Sequence, residues 1–120
     1  MIEIDNLSAS PDTFISGKAK RVTFSWEASV DSATDNPVEI DLTIEDSKNT
    51  SVFFLDVNDK EVPSVSWKTS NFKEAKEIFK ETLFIRVTQS QSKEKECVIT
   101  MNAKDNNSDE STSVCSITYK

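Results

Sequence analysis

The sequence predicts a mainly β fold: two packed sheets of about eight strands, with one short crossover helix. Three observations carry that expectation. Apolar residues recur at every second position through most of the chain, the spacing that gives a strand one buried face. Polar, turn-forming clusters separate these runs. Seven Phe and two Trp supply large apolar groups for a core in a chain of 120 residues that is 36% hydrophobic and 29% charged. A single domain, 1–120, is the organisation expected at that length.

Taken in order, IEIDNL opens the fold with Ile2 and Ile4 on one face. RVTFSWEASV is the clearest strand: Val22, Phe24, Trp26, Ala28 and Val30 share a face opposite Thr23, Ser25, Glu27 and Ser29. VEIDLTIE repeats the pattern, with Val38, Ile40, Leu42 and Ile44 inward and Glu39, Asp41, Thr43 and Glu45 outward. A slip of one residue in either strand would bury charges, so both registers are firmly set. SATDNP makes the turn between them. In SVFFLDV the alternation places Phe53, Leu55 and Val57 inward and Phe54 outward. After the NDKEVP turn, SVSWKT sets Val65 and Trp67 on one face. LFIRV, CVITMNA and VCSITYK complete the set, with Leu83, Ile85 and Val87, then Cys97, Ile99, Met101 and Ala103, then Cys115, Ile117 and Tyr119 inward. The exception is SNFKEAKEIFKE. There Phe72, Ala75 and Ile78 or Phe79 recur at helical spacing, and Asn71 and Glu74 have the spacing of a capping box. This predicts the helix, over about 71–81.

Three stretches carry a family resemblance. RVTFSWEAS resembles the second strand of fibronectin type III and related immunoglobulin-like modules, where an inward Trp sits mid-strand as Trp26 does here. VITMNAKDNNSDESTSVCSITYK is similar to the terminal hairpin of bacterial and phage immunoglobulin-like modules. SASPDTFISGKAKRVTFSW resembles the opening of such modules, punctuated by Pro11 and Gly17. Together they cover about half the chain. Ser108 stands where a Gly is common, the preceding strand lacks a frequent Tyr, and Asn71–Glu81 is extra to a minimal module. The resemblance implies an immunoglobulin-like sandwich with a non-catalytic role. Such a module displays a surface, spaces other domains or holds a protein partner in a phage particle or bacterial surface assembly. A carbohydrate-binding module, with or without calcium, is the second class. A small inhibitor acting through loops such as Ser32–Pro37 and Asp105–Glu110 is the third.

Composition narrows the chemistry. The net charge is −7, which opposes binding to nucleic acid or anionic lipid. No apolar run approaches the ~20 residues that cross a bilayer, so no membrane insertion is expected. The first residues do not read as a signal peptide, and a virion or a bacterial surface is the expected location. Seven acids and no base lie between Glu27 and Asp46. Glu39, Asp41 and Glu45 are therefore candidates for a partner surface, joined by Phe54 and Phe84 on the faces opposite their strands' apolar sets. With no His, the Ser-His-Asp and Cys-His arrangements are excluded. One Gly cannot build a phosphate loop. No catalytic residue and no cofactor are expected.

KDNNSDES remains as the one site-like stretch. Asp105, Asn107 and Asp109 match positions 1, 3 and 5 of an EF-hand loop, a weak calcium candidate. Position 6 is Glu110 rather than Gly, and position 12 is Ser116 rather than Glu. Turn-making by Asp and Asn accounts for the same residues. The loop length also sets the fate of Cys97 and Cys115. A tip at Asp105-Asn106-Asn107 puts the two cysteines opposite each other, where a disulfide can form. A five-residue loop, Asp105 to Asp109, puts Cys97 opposite Ile117 and Cys115 opposite Ile99. Free core thiols are the expectation for a chain read as having no signal peptide.

Overall fold

The computed structural model describes residues 2–30, 38–45, 51–69, 76–105 and 108–120. Among these residues ten strands follow in chain order: β1 (Ile2–Ser10), β2 (Thr13–Phe14), β3 (Lys20–Val30), β4 (Val38–Glu45), β5 (Val52–Leu55), β6 (Glu61–Val62), β7 (Ser64–Thr69), β8 (Lys76–Val87), β9 (Lys95–Lys104) and β10 (Glu110–Tyr119). They form two five-stranded sheets, ordered β1-β3-β8-β5-β6 and β2-β10-β9-β4-β7. The count exceeds the expected eight because short β2 and β6 pair beside longer neighbours.

The predicted helix is corrected. Residues 76–81 begin the long strand β8, and the described residues contain no helix; residues 71–75 lie outside them. Pairing with β3 decides this, since Trp26 faces Phe79 and Phe24 faces Glu81 along ten matched positions. A helical spacing of Lys, Glu and Ala is only a local preference, and tertiary pairing overrides it.

Alternation sorts most side chains as expected. Val22, Phe24, Trp26, Ala28, Val38, Ile40, Leu42, Ile44, Ile85, Val87, Cys97, Ile99, Met101, Ala103, Ile117 and Tyr119 are all buried. Strand β5 takes the opposite facing. Phe54 is fully buried, edge-to-face with Phe24 at 6.1 Å, while Phe53 and Leu55 are half-exposed and Val57 stands in solvent. The cause is register: Val52 pairs with Val87 and Phe54 with Ile85, and directly paired residues share a face.

Among the described residues, two of the changes of sheet fall at prolines. After β1 the chain crosses at the cis Ser10–Pro11 bond, and β2 then runs parallel to β10. A bulge between Asp5 and Ser8 bends β1, with Asn6 at φ 56. Gly17, at φ 130, takes the next turn in a conformation that L side chains rarely adopt. The other of the two is at Pro63, between β6 and β7, and the Pro63 carbonyl accepts a hydrogen bond from the Ile44 N–H at 3.0 Å.

Candidate functional site

A sandwich has two lateral sides, and here they differ. On one side β1 lies against β10. Serine hydroxyls of β10 reach across: Ser111 Oγ accepts from the Ile4 N–H at 3.0 Å, and Ser113 Oγ accepts from the Leu7 N–H at 3.4 Å. These bonds occupy edge amides of β1, and Leu7 closes the core beneath them. Between the sheets this side is held closed by these two bonds and the buried Leu7, while the outer edge of β1 has no strand neighbour among the described residues.

The other side is open. Strand β7 pairs with β4 from Thr69↔Val38 to Ser64↔Thr43, and among the described residues no strand pairs with its outer edge. Opposite it, β5 covers β8 only from Ile85 to Val87. Among the described residues, Lys80–Phe84 have a neighbouring strand only in β3. Between the two sheets lies a groove of about 660 Å³. Its apolar lining is Leu55, Val57, Val62, Val65, Trp67 and Leu83, with Asp56, Glu81 and Lys68 as its charged members. That volume is within the range of small-molecule clefts, about 300–1,000 Å³.

An aromatic row runs from Trp67, which lines the groove, into the core. Trp26 is buried, stacks on Phe79 at 6.0 Å and 20°, and meets Trp67 at 6.0 Å and 55°. Trp67 thus touches the core through one edge while remaining half-exposed. Its position follows from alternation in SVSWKT, which turns Val65 and Trp67 inward on a strand with no outer neighbour. Glu81 also points inward, because β8 alternates Glu77, Phe79, Glu81, Leu83 on its core face. It is half-buried, and among the described residues it has no hydrogen-bond or ion-pair partner. Asp56 differs: its Oδ1 accepts from the N–H groups of Asn58 and Lys60 at 2.8 and 2.9 Å, and so shapes the β5–β6 turn.

The residues singled out from sequence are scattered. Phe54, offered as a surface anchor, is a core residue and is withdrawn from the partner surface. Phe84 is 42% exposed on the outer face of β8, under the Arg21 guanidinium at 5.8 Å. Glu39 lies on the outer face of β4, in a cross-strand row with Lys68 on one side and Lys104, then Glu110, on the other. Alternating charge in that row offsets the acidity of the Glu27–Asp46 stretch. Asp41 accepts a hydrogen bond from the Ser66 hydroxyl. Glu45 ends β4 opposite Val98.

The last hairpin takes the five-residue loop. Lys104 pairs with Glu110, so Cys97 lies opposite Ile117 and Cys115 opposite Ile99. Neither cysteine is in a disulfide, and the pairing that the shorter tip would give does not arise. Burial, with a smaller contribution from Asp12, pushes the Cys115 thiol up to about 11. Asp105 works as a turn residue: its Oδ1 accepts from the Asp109 N–H at 2.9 Å, and its carbonyl accepts from the Ser108 N–H at 3.1 Å. Among the described residues no three acids or cysteines gather as metal ligands; Asn107 lies outside those residues, as do Ser32–Pro37 of the loop cluster. Ser108 adopts φ 65, which explains why a Gly is common there in the modules it resembles.

Trp67, Glu81 and Leu83 were not marked as a site by sequence. The signal was a Trp on a strand bounded by turns, and it needed the edge position of β7 to become visible.

No protein-family model matches the chain, and no curated protein matches it in sequence. Solved structures do match. A cohesin module from a Clostridium perfringens family 33 glycoside hydrolase superposes with a TM-score of 0.54 at 12% identity, over 99% of this chain and 96% of that one. A conjugative transposon lipoprotein from Bacteroides eggerthii gives 0.50 at 13% identity, over 97% and 93%. The major pilin subunit BcpA of Bacillus cereus gives 0.54 at 10% identity, with 99% of this chain spanning 40% of the pilin. The fold is a β-sandwich consistent with the immunoglobulin-like kind. At these identities the likeness concerns architecture alone.

Proposed function

We propose that this chain is a non-catalytic protein-interaction module of a bacterial or phage surface assembly, and that it holds its partner in the groove beside β7. The observation that carries the proposal is the contrast between the two sides. One is closed by β1 and the hydroxyls of Ser111 and Ser113; the other exposes an edge strand and half-buried Trp67 over an apolar cavity. Exposed edges accept further strands, and half-buried aromatics anchor partners. The cohesin, lipoprotein and pilin likenesses support the reading, since those names belong to bacterial modules of this architecture.

A half-exposed Trp also stacks on sugars, so the test must separate the two classes. The immobilised chain is panned with a random twelve-residue peptide display library and, in parallel, probed with a glycan panel with and without calcium. Enriched peptides that compete with one another and are lost on Trp67→Ala are expected. Glycan binding with no enriched peptide would instead establish the carbohydrate class.

A further inference from the structure

We propose that the occupant of this groove is one extended segment of the partner, added to the outer edge of β7, and that it alternates apolar residues with a lysine or arginine placed against Glu81. This deepens the protein-interaction reading and rests on it.

Three features specify that occupant. The first is main-chain. Strand β7 is six residues long, and its outer edge has no strand neighbour among the described residues. An added strand continues the ladder of the sheet that β7 ends. The second is shape. Side chains of an added strand alternate between the groove and the outer face, so about three of every six residues enter the cavity. They meet Val65, Trp67 and Leu83 within about 660 Å³.

The third is charge. Glu81 points into the groove between inward Phe79 and Leu83, half-buried and with no partner among the described residues. A carboxylate in that setting is stabilised by a cation that arrives with the ligand. Lys68 reaches the rim of the same groove, but it sits in register with Glu39 and makes no ion pair with Glu81 among the described residues. Glu81 also acts against unwanted pairing. An inward charge beside an edge rejects a wholly apolar strand and admits one that supplies a base. A second copy of this chain fits poorly, because each copy carries −7 and brings its own acidic lining.

The test is parallel panning of the twelve-residue library on the wild type, Glu81→Gln and Glu81→Lys. Peptides recovered on the wild type should alternate apolar residues with Lys or Arg. Those peptides should bind Glu81→Gln about tenfold more weakly and Glu81→Lys more weakly still, and Glu81→Lys should enrich Asp or Glu instead. N-methylation at alternate peptide residues should abolish binding, which a purely side-chain contact would not require. If all three proteins enrich the same sequences, the basic strand is wrong and the protein-interaction reading survives. Should N-methylated peptides bind as well as their parents, strand addition is wrong. No enriched peptide on any of the three overturns both readings. Light scattering closes the remaining route: a mass that doubles with concentration, and returns to one chain on substitution in β7, makes the occupant a second copy and overturns the proposal.

Discussion

The facing of β5 yields a quantitative prediction. Phe54 is fully buried, packs edge-to-face on Phe24 at 6.1 Å and pairs with Ile85 and Val62. Truncating it to Ala removes a whole buried ring and leaves a cavity in a core that relaxes only in part. Phe→Ala at such a site costs about 4 kcal/mol. Phe53, half-exposed and opposite Arg86, should lose only about 1 kcal/mol on the same change. The assay is urea unfolding followed by tryptophan fluorescence, which reports Trp26 and Trp67. With a slope of about 1.5 kcal/mol per molar, the midpoint of Phe54→Ala should fall by about 2.5 M and that of Phe53→Ala by less than about 1 M. The first loss is a large share of a stability of about 5–15 kcal/mol, so Phe54→Leu, expected to cost under half as much, guards against a chain that does not fold. A larger cost for Phe53→Ala than for Phe54→Ala would reverse β5 and refute the register that places the core beside the groove.

Other outcomes follow from single contacts. Ser111→Ala should cost about 1 kcal/mol by leaving the part-buried Ile4 N–H without its acceptor, while Ser116→Ala on the exposed outer face should be near neutral in the same urea assay. Ser108→Gly should raise the melting temperature by about 2–4 °C, because φ 65 suits Gly and strains Ser; an unchanged or lower value would put the residue elsewhere in conformational space. Cys115, held at about 11 against an ordinary 9.0, binds its proton more tightly in the folded chain than in the unfolded one. Its contribution to stability is therefore intact below pH 9 and is lost as pH rises from 9 to 11; urea midpoints for wild type and Cys115→Ser should diverge in that window. Thiol titration after air oxidation should still count two thiols, since the register keeps Cys97 and Cys115 two residues out of step.

Much of the sandwich was legible because alternation in β3, β4, β9 and β10 is unbroken, and a slipped register would have buried Glu39 or Asp41. Two elements were not. In SVFFLDV adjacent phenylalanines satisfy either facing, and only pairing with Ile85 and Val87 selects one. In KEIFKETLF the inward acids Glu77 and Glu81 interrupt the apolar period of two, so the spacing of Ile78 and Phe79 to residues before them imitated a helix. The same Glu81 that hid the strand gives the groove its charge. Trp67 was placed correctly as inward, but sequence alone cannot say that β7 lies at a sheet edge, and the edge is what makes Trp67 accessible.

Amide hydrogen exchange on the chain with and without a peptide recovered from the library tests the central claim most directly. Slowed exchange is expected at the edge amides of Ser64–Thr69, with little change at Asp105–Glu110 or in β9 and β10 of the same sheet. Protection confined to the Asp105–Glu110 tip or to β9 and β10, with β7 unaltered, would contradict it.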